Sequence, residues 1–146
     1  MVKKDINPLF TTTVRNDEGL EGTAKVLGGG LAVLTSNPMN QKPGTNPEEL
    51  IALSWATCLN TTIRFNLKRH KYKNYQEIDV TVDIQVDYMR EEDSDQTYFK
   101  FHLTQKVDLP QEEAETIVTE AHTRCPVSKI VGEYPHVTQE VIGKLI

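Results

Sequence analysis

Long apolar runs are missing. None of the 146 residues belongs to a stretch approaching the roughly 20 consecutive apolar residues that a membrane-crossing helix needs. No apolar segment follows the basic pair in Met1-Val2-Lys3-Lys4-Asp5, so a secretory signal is not expected. The expected compartment is therefore the cytoplasm, where thiols stay reduced. Cysteine is scarce, with only Cys58 and Cys125. That excludes a disulfide-stapled scaffold and makes a redox pair worth weighing. There is no Cys-x-x-Cys and no paired-His motif, so neither a metal nor another cofactor is expected. No phosphate-cradling loop occurs, because Gly28-Gly29-Gly30 does not open a helix. The net charge of −5 speaks against broad binding to nucleic acid or to an anionic membrane. The one basic cluster, Arg64, Lys68, Arg69, Lys71 and Lys73, reads as a solvated helix end favoured by the helix dipole.

What is present suits one folded domain over residues 1–146. With 38% hydrophobic and 25% charged residues, a core can form and disorder is not the default. The chain reads as two halves, each strand-rich and then helical. Phe10 to Arg15, Leu20 to Leu27 and Leu31 to Thr35 suit three short strands. They are separated by the turns Asn16-Asp17-Glu18-Gly19 and Gly28-Gly29-Gly30. After a polar loop, Asn46-Pro47-Glu48-Glu49 carries an N-cap, a proline for the first helical position and a capping-box glutamate. A long helix follows, uninterrupted by Gly or Pro through Leu67 and apolar on much of its surface, as in a central or interface helix. Ile78 to Tyr88 alternates apolar and polar residues, and Tyr98 to Val107 alternates again. Together they predict an antiparallel hairpin with one wet face. Pro110 to Arg124 reads as a second helix, and His136 to Ile142 as a last strand.

The chemistry rests on the cysteines. Cys58 lies mid-helix in Leu53-Ser54-Trp55-Ala56-Thr57-Cys58-Leu59. Taken alone it reads as an inert core thiol, since burial raises a thiol pKa unless a cation is near. Cys125 lies in His122-Thr123-Arg124-Cys125-Pro126-Val127-Ser128, where proline ends or kinks the helix and leaves the thiol at an element end. His122 and Cys125 are spaced to share a metal, but zinc needs further ligands that no motif supplies.

Two segments resemble the OsmC/Ohr family of organic hydroperoxide reductases. One is Thr45-Asn46-Pro47-Glu48-Glu49-Leu50-Ile51-Ala52 with Ala56-Thr57-Cys58; the other is Ala121-His122-Thr123-Arg124-Cys125-Pro126-Val127-Ser128. The order of elements agrees over nearly the whole chain. The Cys-Pro-Val-Ser wording leans to the OsmC branch, while chain length and His122 lean to the Ohr branch. The resemblance implies an α+β fold with antiparallel sheets, a long central helix, a second helix and an intertwined homodimer. It implies that Cys58 attacks an organic hydroperoxide and becomes a sulfenic acid, and that Cys125 resolves it to a disulfide. A dithiol then reduces the disulfide; in Ohr members this is typically protein-bound lipoyl. The family also uses a Glu, matched by Glu48, and an Arg that holds the first cysteine as thiolate. An ungapped match puts Leu20 in the Arg position, within Glu18-Gly19-Leu20-Glu21-Gly22. Arg15 is then the expected replacement, with Arg124 as another donor. About 15 Å of helix separates Glu48 from Cys58, so this Glu must act through the Arg, across a helix break or from another subunit. The alternative reading is a non-catalytic or redox-sensing member that binds an apolar ligand at the dimer interface.

Overall fold

The computed structural model describes residues 7–144; the N-terminal reading of Met1 to Asp5 lies outside them. Two compact units result, Met1–Pro47 and Glu48–Ile146. The first contains an antiparallel meander of β1 (Val14–Asn16), β2 (Gly22–Val26) and β3 (Ala32–Thr35). β1 is shorter than the β-branched run from Phe10 suggests. It pairs only from Val14, opposite Val26, to Asn16, opposite Ala24. Leu27 N–H still donates to the Thr13 carbonyl, but the chain then turns at Gly28–Gly30, and Phe10 stays exposed. The first turn forms where expected: the Asn16 side-chain oxygen accepts from the backbone N–H groups of Glu18 and Gly19. Gly19 takes the left-handed φ of 76° that glycine adopts without strain.

The second unit is built on α1 (Pro47–Arg69). Pro47 opens it, Glu48 and Glu49 occupy its acidic first turn, and Lys68 and Arg69 its basic last turn. One stripe, Trp55, Leu59, Ile63, Asn66 and Leu67, is buried. The hairpin pairs β4 (Val80–Arg90) with β5 (Thr97–Pro110), in register from Val80–Val107 to Arg90–Thr97. α2 (Gln111–Arg124) and a short α3 (Pro126–Val131) lead to β6 (Val137–Lys144). β6 lies parallel to β5, Phe101 facing Val137, so this sheet is mixed rather than wholly antiparallel. A parallel return needs a long crossover, and the two helices supply it. No helix among the described residues is long and apolar enough to cross a membrane.

β5 supplies the inner face of the core through Phe101, Leu103, Gln105, Val107 and Leu109, all buried. The α1 stripe belongs to the same cluster, as do Ala114, Ile117, Val118 and Ala121 of α2. Trp55 meets Phe101 edge-on, with ring centroids 5.5 Å apart. Gln105 is the polar exception in this row, and its amide leads into the candidate site.

Candidate active site

Cys58 and Cys125 come together. Cys58 sits on α1, half-buried, and lines an apolar groove with Leu53, Phe65 and Pro126. Cys125 is fully buried. It breaks the helical path with an extended conformation (φ −68°, ψ 117°), which ends α2 and lets Pro126 begin α3. Its Sγ then occupies the N-cap of α3 and accepts from the Ser128 backbone N–H at 3.5 Å. The two thiols lie close enough to shift each other's acidity.

Their surroundings drive the two thiols apart in acidity. Burial pushes the Cys58 thiol up, and the hydrogen bond to Cys125 adds to this, outweighing contacts from the Val127 N–H and Thr62. Cys125 is also penalised by burial. Hydrogen bonds from the Ser128 hydroxyl and N–H, from Cys58 and from the Val127 N–H nevertheless bring it below the ordinary cysteine value.

A polar chain runs from Cys125 into the core. Ser128 Oγ accepts from the Trp55 indole N–H at 2.8 Å. His122 Nδ1 lies 3.0 Å from the same oxygen. His122 Nε2 lies 2.7 Å from Gln105 Oε1, while Gln105 Nε2 donates to the Glu140 carbonyl at 2.9 Å. Both imidazole nitrogens are thus engaged within the protein, which argues against His122 and Cys125 as a metal pair. No group of three or more His, Cys, Asp or Glu suited to a metal occurs among the described residues. Burial holds His122 below the ordinary histidine value, although a hydrogen bond with Gln139 opposes this.

Arg15 is exposed on β1 and pairs in register with Lys25. Leu20 is exposed in the turn after β1. Arg124 points its Nε toward Glu120 Oε1, 3.7 Å away. Glu48, in the first turn of α1, has a buried Oε2 with no hydrogen-bond partner among the described residues. Trp55 and Gln105 were not singled out from the sequence. Gln105 carried a signal nonetheless, being a polar residue in phase with Phe101, Leu103, Val107 and Leu109.

With its pKa raised by burial, Cys58 should react slowly near neutrality wherever no cation stands beside it. Its alkylation by iodoacetamide, read by peptide mass spectrometry, should accelerate about tenfold per pH unit below the thiol pKa, as the thiolate fraction grows. A rate already level at about pH 7 would show instead that a cation reaches the thiol.

Known proteins repeat this arrangement of elements. A family model described as OsmC-like protein matches residues 39–140. The organic hydroperoxide resistance protein OhrA of Bacillus subtilis is 31% identical over 142 residues, covering 92% of this chain and 96% of that one. An organic hydroperoxide resistance protein-like 1 from Staphylococcus saprophyticus is 32% identical over 99 residues, covering 68% and 70%. Among solved structures, a redox protein from Lactobacillus casei superposes with a TM-score of 0.82 at 36% identity, covering 96% of this chain and 95% of that one. OhrB of Bacillus subtilis follows with a TM-score of 0.77 at 28% identity, covering 94% and 100%. With both the sequence model and the architecture in agreement, the chain belongs to the OsmC-like family.

Proposed function

We propose that this protein is a thiol peroxidase that reduces organic hydroperoxides. The observation that carries the reading is that a half-exposed Cys58 and a buried Cys125 lie close enough to shift each other's acidity. Cys58 lines an open groove and meets the peroxide; it attacks the O–O bond, becomes a sulfenic acid and releases an alcohol. Cys125, already in contact, displaces the hydroxyl from Cys58 and closes a disulfide, with loss of water. The names of the relatives, organic hydroperoxide resistance proteins, support this substrate class. So does the apolar lining of Leu53 and Phe65, since each buried CH₂ of an alkyl chain contributes about 0.8 kcal/mol.

The remaining roles rest on the family resemblance. Glu48 orients the activating Arg, and its unpartnered buried oxygen suits that task. Arg15 supplies the cation in place of Leu20. A dithiol such as protein-bound lipoyl reopens the disulfide, which fits a cytoplasmic protein whose cysteines are free thiols. The chain acts as one domain within a homodimer. Leu53 and Phe65, each 61% exposed on α1, supply apolar surface for a second copy to cover.

The deciding experiment treats reduced protein with one equivalent of tert-butyl hydroperoxide and follows intact mass and free thiols. Loss of two thiols and two hydrogens, with the Cys58–Cys125 bond recovered in a peptide map, is expected. Thiols that stay reduced for minutes would overturn the reading.

A further inference from the structure

Cys125 has no exposure to solvent, yet its proton must leave when the disulfide forms and return when the disulfide is reduced. Ser128 is a polar neighbour on its inner side: its N–H donates to the sulfur at 3.5 Å, and its hydroxyl favours the thiolate. We propose that Ser128, His122 and Gln105 form a proton relay serving Cys125, in which Ser128 contacts the sulfur and His122 is a positioning residue acting through it. The proposal rests on the peroxidase reading above.

Hydrogen-bond directions along the chain fix the proton positions. Gln105 Nε2 donates to the Glu140 carbonyl, so Oε1 faces His122 and can only accept. His122 Nε2 must carry a hydrogen to donate to it. In the neutral ring Nδ1 is then bare, and it accepts from the Ser128 hydroxyl. The Trp55 N–H, a donor only, meets the same Ser128 oxygen and leaves that hydroxyl free to donate. Ser128 has one proton and two acceptors in reach, His122 Nδ1 and Cys125 Sγ. When the ring is protonated, Nδ1–H donates to Ser128 and the hydroxyl turns wholly to the sulfur. An imidazolium thus accompanies a Cys125 thiolate, and a neutral imidazole a Cys125 thiol. This is a nucleophile, a base and an orienting group, with a hydroxyl inserted between the first two.

The step balances. Cys125 sulfur attacks the Cys58 sulfenic sulfur; the S–S bond forms, the S–O bond breaks and hydroxide leaves. The Cys125 proton passes to Ser128 Oγ while the Ser128 proton passes to His122 Nδ1. His122 then releases a proton to solvent through the cavity it lines, and proton and hydroxide make water. In the reductive half the sequence reverses, and the departing Cys125 thiolate is protonated. The charged groups lining that cavity are Lys129 and Glu133, with Gln139 as a neutral neighbour; Cys125 acts on the ring only through Ser128. Burial, which keeps His122 neutral at neutral pH, leaves it ready to accept.

The test separates the two chemical steps. Full-length wild type, His122→Gln and His122→Ala proteins are oxidised with tert-butyl hydroperoxide at several pH values. Cys58 sulfenic acid is trapped with dimedone, and disulfide closure is timed by the mass lost as water. In His122→Gln, sulfenic acid should accumulate and closure should slow about 100-fold, the scale of a positioned base. The wild-type decline in closure at acid pH should vanish. In His122→Ala, added imidazole should restore closure through the cavity. Equal closure rates in wild type and His122→Gln, or no response of His122→Ala to imidazole, would overturn the relay and leave the peroxidase reading standing. Failure of the wild type to close the bond would overturn both.

Discussion

Cys58→Ser should reduce hydroperoxide consumption to the uncatalysed background, measured as peroxide remaining after incubation with excess dithiol. A serine hydroxyl at this site has neither the acidity nor the soft sulfur that attack on an O–O bond requires. Cys125 cannot take over, although it is the more acidic thiol, because it is fully buried while Cys58 lines the open groove. Access therefore decides which sulfur is oxidised, and electrostatics decides how fast. The complementary variant, Cys125→Ser, should form Cys58 sulfenic acid once and stop without a disulfide. It also removes the Cys125 contact and charge that help to raise Cys58. Full turnover by Cys58→Ser would remove the basis for the assignment.

In the proposed cycle the two cysteines divide the labour in a way their surroundings explain. The N–H groups of Ser128 and Val127 favour negative charge on Cys125, the sulfur that leaves as thiolate when a dithiol reopens the bond. A lower thiol pKa makes a better leaving group. At Cys58 the Val127 N–H and Thr62 act in the same sense but do not outweigh burial, so its thiol stays above the ordinary cysteine value.

The long helix was legible because Pro47 and its acidic first turn mark the start, and because no Gly or Pro interrupts it before Arg69. The hairpin was legible from the two-residue alternation of β4 and β5, which burial follows almost residue by residue. The direction of β6 was not, since alternation is the same for parallel and antiparallel neighbours; only the crossover through α2 and α3 settles it. α3 escaped notice because Pro126 reads equally as the end of one helix and the first residue of another. The meeting of Cys58 with Cys125 depends on packing α1 against the α2–α3 corner, a relation no local pattern encodes. In sequence His122 belongs to the Cys125 motif and is spaced to share a metal with that cysteine, and neither feature points to a hydrogen-bonded chain. Its true neighbours, Gln105 and Ser128, lie on β5 and α3, and no spacing rule connects them.

Trp55→Ala should destabilise the fold by about 3–5 kcal/mol, the range for removing a fully buried large aromatic. Net stabilities run to only about 5–15 kcal/mol, so much of the variant should be unfolded under mild denaturant. The Trp55 ring is fully buried and meets Phe101 edge-on. Phe101 in turn meets Phe99 and Tyr134 edge-on, at 6.2 and 6.1 Å. Removing the indole therefore opens a cavity beside an aromatic cluster that cannot collapse without moving β5. It also takes the N–H donor away from buried Ser128. Trp55→Phe separates the two losses: it keeps a ring against Phe101 and removes only the donor, so it should cost about 1 kcal/mol beyond any repacking strain. Trp55 is the sole tryptophan, so unfolding must be followed by far-UV circular dichroism in urea rather than by indole fluorescence. A Trp55→Ala midpoint close to that of Trp55→Phe would mean that the indole N–H, and not the packing of the ring, is what Trp55 contributes here.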